Sequence, residues 1–248
     1  MSTAFRVDGD AYDNFMGRYA TVLAPVFADF AGVRSGLRVL DVGAGTGALT
    51  TELVARGAST AAADPSPEFV AVLRRRFPNL EVEEAPAEAL PWAADVFDLA
   101  LAQLVVAFMS DAPAAIAEMA RVARRVAVCM WGVEEVDMFA AIDRAAETVG
   151  ASRATEPRRY RSSQEIHDLL APHGEVETAE LDVVAGYGDF EEFWQAMDRG
   201  VGPAGQWLAS LGAEQREHAH AELYRELGSP TGPFELKARA FAAAVTPH

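Results

Sequence analysis

Seven consecutive residues, Asp41-Val42-Gly43-Ala44-Gly45-Thr46-Gly47, set the narrowest limits on what this chain can fold into. They close a short apolar run, Arg38–Val42, and open a helical pattern, Ala48–Arg56, that Gly57 stops. Glycines at alternate positions let a backbone turn tightly and let a ligand approach it closely. A helix that starts immediately afterwards offers N–H groups with no partner inside the helix. In an open parallel sheet, ligands bind beyond the carboxyl ends of the strands, where the strand order reverses. The pattern predicts a strand, a ligand loop and a helix, in that order.

The neighbouring sequence repeats that rhythm. Ser59–Ala63 reads as a strand ending at Asp64, Pro67–Phe77 as a helix with proline in its first turn, and Glu81–Ala85 as a third strand. Phe97–Ala102 reads as a fourth strand, Ala112–Val122 as a helix, and Val126–Trp131 as a fifth, fully apolar strand. Apolar strands spaced by helices mean βαβ units in a parallel sheet covered on both faces, so the fold class is α/β, doubly wound. Ahead of this core, Tyr12, Phe15, Tyr19, Val22, Val26 and Phe30 recur at three- and four-residue steps, which marks one face of a helix with a break or kink near Pro25. Beyond Trp131, Val136–Val149 and Ser163–Leu170 look helical and Val176–Ala185 alternates like a strand. Phe190–Leu227 looks mostly helical with a loop around Gly200–Gly205, and a last element starts near Phe234. The expected organisation is one domain: an N-terminal helical lid over 11–36, a core over 37–131, and C-terminal strands over 132–248 with a helical cap mainly at 189–230.

Charge narrows the partners. There are 21 Lys+Arg against 37 Asp+Glu, a net charge of −16. Tracking a phosphate backbone needs clustered basic residues, because counterion release supplies most of that affinity. Nucleic acid and anionic lipid are therefore disfavoured, and a small molecule is the expected partner. The single cysteine, Cys129, excludes an internal disulfide framework and suits a reducing compartment. No apolar run approaches the ~20 residues that span a bilayer. The start, MSTAFRVDGD, lacks the basic and apolar regions of a secretory signal, so a cytoplasmic location is expected.

The loop itself discriminates between ligands. Gly43-x-Gly45-x-x-Ala48 satisfies a dinucleotide pattern, and Asp64, at the end of the second strand, suits a ribose diol in either a dinucleotide or another nucleoside. Gly47, however, stands one position early for a dinucleotide, and Asp41 precedes the first glycine. A carboxylate there repels a pyrophosphate and attracts an ammonium group. S-adenosylmethionine carries an ammonium and no phosphate.

Val39–Thr50 (VLDVGAGTGALT) resembles the first motif of the class I S-adenosylmethionine-dependent methyltransferases, and specifically small-molecule members of the methyltransferase type 11 kind. Ala85–Leu99 (APAEALPWAADVFDL) resembles the family's adenine loop and fourth strand, and Ala11–Tyr19 the helix that precedes the core. The resemblance implies a Rossmann-like sheet of seven strands, the last antiparallel, with Val176–Ala185 and Leu236–Val245 as its last two strands. It implies that Gly43, Ala44, Gly45 and Gly47 line the methionine moiety and that Asp41 contacts its amino group. It assigns the ribose hydroxyls to Asp64 and places Pro65 and Ser66 against the adenine. Ala87 and Glu88 are implied at the adenine edge and Gln103 near the methionine end. The family's usual acid before Ala87 is replaced by Pro86, so that contact is lost or moves to Glu88.

Methyl transfer from a sulfonium needs alignment and water exclusion, and a general base only when the acceptor is protonated. No metal is expected. No catalytic residue is assigned; His167, His173 and Tyr19 are the candidates for a base. On the acceptor side, Tyr12, Phe15, Tyr19 and Trp131 are aromatic candidates, each equally at home in a core. Arg158, Arg159 and Tyr160 could capture a carboxylate or phosphate, or simply form a solvated loop before a helix capped by Ser162 or Ser163. The alternatives to methyl transfer are a non-catalytic module binding S-adenosylmethionine or S-adenosylhomocysteine, an NAD-dependent oxidoreductase, and an RNA methyltransferase, which the net charge opposes.

Overall fold

The strand order β3-β2-β1-β4-β5-β7-β6 reverses direction beside β1, and that reversal fixes where a ligand can sit. In this computed structural model, which describes residues 15–150, 159–199 and 202–247, β1 is Arg38–Val42, β2 Ser59–Asp64, β3 Glu81–Glu84, β4 Leu99–Gln103, β5 Val126–Val136, β6 Val176–Tyr187 and β7 Phe234–Val245. The helices are α1 Met16–Ala31, α2 Ala48–Ala55, α3 Pro67–Arg76, α4 Ala112–Val122, α5 Asp137–Val149, α6 Ser163–Leu170, α7 Phe190–Asp198, α8 Gly202–Ser210 and α9 Ala213–Glu226. The sheet is mixed, mostly parallel with one antiparallel strand at its β6 edge region, and helices flank it. β1 pairs in parallel with β2, Arg38 opposite Ser59 through Val42 opposite Ala63, and with β4, Asp41 opposite Leu101.

Two compact units separate along the chain. One holds Ala20–Gly132 and the described residues within Pro157–Leu181 and Ala240–His248. Its core explains the apolar strands. Leu40, Val42, Ala61, Ala63, Ala100, Ala102, Val126 and Val128 form one buried cluster with Ile116 and Met119 of α4 and Ile166 and Leu169 of α6. On the opposite face Ala62 and Val82 pack with Val70 and Leu73 of α3. Because side chains alternate along a strand, Asp41 lies on the face opposite Leu40 and Val42.

The other unit holds the described residues within Met1–Tyr19, Val133–Glu156 and Asp182–Arg239. Here α5 packs on α9 and Arg144 pairs with Glu226. An aromatic cluster joins Tyr187 to Phe193 at 5.2 Å and to Phe234 at 5.4 Å between ring centroids. The Arg18 guanidinium lies 4.6 Å from the Tyr187 ring centre and binds the Gly186 carbonyl and Glu192.

Several boundaries differ from the sequence reading. α1 continues through Pro25 rather than breaking there. Leu23, Ala24, Phe27 and Ala28 are all at most 1% exposed, and their burial outweighs the one helical hydrogen bond that proline removes. Gly202–Gly205 begins α8 instead of forming a loop, since Pro203 suits a first helical turn and Ala204, Trp207 and Leu208 gain burial. β5 runs on to Val136, past the apolar run, through the exposed Glu134 and Glu135. β4 starts at Leu99; Phe97 makes only an isolated bridge to Ala123.

Candidate functional site

The site is built at the carboxyl edge of β1, β2 and β4. Gly43, Gly45 and Gly47 all have positive φ, at 72°, 56° and 94°. A Cβ on Gly43 would meet Val105 at 2.9 Å, and one on Gly47 would meet Phe77 at 2.8 Å. These two glycines are required by the packing behind the loop. A Cβ on Gly45 would meet nothing within 4 Å, so its face of the loop is open. α2 then starts at Gly47 with no side-chain cap.

Two buried carboxylates flank this loop. Asp64, 5% exposed, accepts the Gly45 N–H on Oδ2 at 2.8 Å and the Ser66 N–H on Oδ1 at 2.9 Å. Each oxygen keeps lone-pair capacity, which suits the two hydroxyls of a ribose. Burial raises its pKa, and the two N–H donors oppose that rise. Asp41, 1% exposed, accepts the Thr50 hydroxyl at 2.6 Å. Burial pushes its pKa up to about 7; the Thr50 hydroxyl opposes the shift and Asp64 adds to it. Thr50 of α2, not singled out in the sequence, is the residue that holds Asp41 in place.

The neighbouring loops complete the edge. The Ala85 N–H donates to the Asp64 carbonyl at 3.1 Å, which joins the Ala85–Glu88 segment to β2. Ala87 is buried, and the Glu88 carboxylate accepts the Asp111 N–H at 3.0 Å, so its side chain is committed to the start of α4. Ser66 caps α3 by accepting the Phe69 N–H. Gln103, 9% exposed, donates from Nε2 to the Ala20 carbonyl at 3.0 Å. A carbonyl only accepts, so this bond orients the amide and leaves Oε1 buried with no partner among the described residues. Leu104, the next residue, is held at φ 62°, an uncommon conformation for leucine.

A nucleoside ligand bearing an ammonium group fits these features. Gly45 offers open backbone, Asp64 offers acceptors for a diol, Asp41 offers negative charge when ionised, and Gln103 Oε1 lacks a donor. A dinucleotide pyrophosphate would have to approach a loop flanked by two carboxylates.

The acceptor-side and base candidates are placed unequally. Arg159 and Tyr160 reach the carboxyl edge: the Arg159 guanidinium lies 3.5 Å from the Met109 carbonyl, in the segment that follows β4. Tyr160 sits at φ 61° and packs against the core. His173 stands at the opposite edge. It precedes β6, and its neighbour Gly174 abuts the Thr246 carbonyl after β7. Arg125, just before β5, binds Glu177 in the same region. His167, in the last turn of α6, lies 3.1 Å from the Asp168 carboxylate. Trp131 is buried within β5 at 3% exposure and is a core residue. Phe15 and Tyr19 belong to the other unit and are each 1% exposed. Burial and the adjacent Tyr187 raise the Tyr19 pKa, which opposes service as a base. Tyr12 and Arg158 lie outside the described residues.

Residues 40–130 match the family described as Methyltransferase domain. An uncharacterized protein of Mycobacterium bovis is 35% identical over 119 residues, covering 45% of this chain and 43% of its own. An uncharacterized methyltransferase of the same organism is 37% identical over 124 residues, covering 50% of this chain and 49% of its own. The chain thus spans less than half the length of these curated relatives in the match. A putative type II methyltransferase from Anaeromyxobacter dehalogenans superposes with a TM-score of 0.69 at 22% identity, covering 91% of this chain and 97% of that one. Over residues 40–130 the chain is thus similar to a methyltransferase domain, and the solved structure shares its fold.

Proposed function

We propose that this protein transfers a methyl group from S-adenosylmethionine to an oxygen, nitrogen or carbon of a small-molecule acceptor. The observation that carries the reading is the pair of buried carboxylates, Asp41 and Asp64, on either side of an open glycine loop. Gly43, Ala44, Gly45 and Gly47 hold the methionine end and Asp41 its ammonium, directly or through water. Asp64 holds the ribose diol; Pro65, Ser66, Ala87 and Glu88 border the adenine; Gln103 Oε1 accepts a hydrogen bond near the methionine end.

The donor supplies an activated methyl carbon. An electron pair of the acceptor forms the new bond in line as the carbon–sulfur bond breaks, the bonding pair returns to sulfur, and the acceptor's proton passes to solvent. The protein aligns the two partners ~3–3.5 Å apart and excludes water. With His173 at the opposite edge of the sheet and His167 beside Asp168, the rate enhancement is assigned to alignment and not to a histidine base. Arg159 and Tyr160 border the acceptor side, where a guanidinium suits an anionic group. The net charge of −16 favours a small acceptor over nucleic acid. Among the described residues no helix is long and apolar enough to cross a membrane. The buried lone cysteine is in keeping with the cytoplasm.

The test is acceptor-dependent formation of S-adenosylhomocysteine, followed by mass spectrometry across acids, amines, phenols and activated carbon nucleophiles. The reading expects at least one acceptor that gains 14 mass units (the exchange of H for CH3) in step with S-adenosylhomocysteine. Tight donor binding with no product across the panel would instead favour a non-catalytic binding module.

A further inference from the structure

The last turn of α3 touches the glycine loop. Arg76 donates from Nη1 to the Thr46 carbonyl at 2.8 Å. Leu73 and Phe77 fill the space where a Cβ on Gly47 would stand, at 3.0 and 2.8 Å. The first turn of the same helix is tied to the loop by a different route. Ser66 caps α3 and donates its N–H to Asp64 Oδ1, while Asp64 Oδ2 holds the Gly45 N–H. One helix therefore grips three successive loop residues: Gly45 through Asp64, Thr46 through Arg76, and Gly47 through Leu73 and Phe77.

A loop with three left-handed glycines has many alternative conformations, so holding it in one costs more backbone entropy than holding most segments. A ligand that must order the loop on binding loses that much affinity, and a protein that orders it beforehand does not. Thr46 is 3% exposed, while Arg76 lies at the surface, so the guanidinium contributes through its charge-assisted bond to the carbonyl more than through burial.

We propose that Arg76 is a positioning residue for the methyl donor: acting through the Thr46 carbonyl, it keeps Gly45–Gly47 in the geometry that receives the ligand. The inference rests on the donor reading above. It adds a residue that touches neither donor nor acceptor, on a helix whose N-cap, Ser66, donates its N–H to the carboxylate assigned to the ribose.

The experiment compares wild type, Arg76→Met and Arg75→Met. Methionine keeps the aliphatic stem and removes the donor. Arg75, the preceding residue, is exposed and its side chain makes no hydrogen bond among the described residues, so it controls for loss of positive charge. Three quantities are read: the Kd for S-adenosylhomocysteine by calorimetry, the Tm of unliganded protein, and amide hydrogen exchange across Gly45–Ala48 in unliganded protein. Arg76→Met is expected to weaken binding on the order of tenfold. Its Tm stays close to wild type, and exchange accelerates in the loop and not in the strands. Arg75→Met matches wild type in all three. The inference is overturned if Arg76→Met binds as tightly as wild type, if Arg75→Met loses as much affinity, or if loop exchange is unchanged. A wild-type protein that binds no S-adenosylhomocysteine overturns the donor reading itself, which separates the two failures.

Discussion

Asp41 and Asp64 are both nearly inaccessible, yet their surroundings differ. Asp64 accepts two backbone N–H groups, which favour its ionised form; Asp41 is held by the Thr50 hydroxyl and backbone and faces the repulsion of Asp64. Asp41 is therefore poised to titrate near neutrality, at about 7. The folded value lies above the usual carboxylate range, so Asp41 favours the folded state fully at low pH. That contribution is lost as pH rises through about 7. A ligand ammonium reverses the preference, because it favours the ionised carboxylate. Donor binding should therefore release a proton below neutrality, and affinity should rise with pH until the Asp41 value is passed. Calorimetry in buffers of differing ionisation enthalpy measures both, and Asp41→Asn should abolish the proton release. Affinity and proton release that do not vary from about pH 6 to about pH 8 would contradict this account of Asp41.

Glycines 45 and 47 separate two requirements of the strand-loop-helix element. Gly45→Ala places a methyl where no atom lies within 4 Å, so its folding cost is that of a left-handed alanine, ~1–2 kcal/mol. Gly47→Ala carries the same backbone cost and also drives its methyl into Phe77 and Leu73, which adds ~1–3 kcal/mol. Thermal unfolding should rank Gly47→Ala as the less stable variant. Gly45→Ala should lose S-adenosylhomocysteine affinity out of proportion to its change in Tm, since the new methyl occupies the ligand's side of the loop. Equal stability losses in the two variants would contradict the packing of α3 behind Gly47.

The same element shows what was legible beforehand and why. Arg38–Val42, Ala112–Val122 and Ser163–Leu170 have the boundaries their apolar spacing and caps indicate, because local pattern and tertiary burial agree there. Pro25 and Gly202 were misleading for one shared reason: burial of neighbouring apolar residues overrides a weak local preference. Asp41, Asp64 and the three glycines were legible because chemistry at a strand end needs those residue types. Thr50 and Arg76 were not, since a threonine in a helix and one arginine in an Arg74-Arg75-Arg76 run carry no local mark of what they touch. His167 and His173 were candidates by residue type alone; only the sheet topology shows the edge on which His173 stands.

Taken whole, the molecule combines a sheet-based unit that contains the glycine loop with a second, largely helical unit that contains Phe15 and Tyr19. The proposed methyl transfer requires that the loop of the first unit receive S-adenosylmethionine and not a dinucleotide. The direct measurement is calorimetric titration of the purified full chain with S-adenosylhomocysteine, with NAD titrated in parallel. The account predicts saturable binding of S-adenosylhomocysteine with one site per chain, and no binding of NAD. Binding of NAD alone would contradict the roles given to Asp41 and Gly47, and with them the proposed reaction.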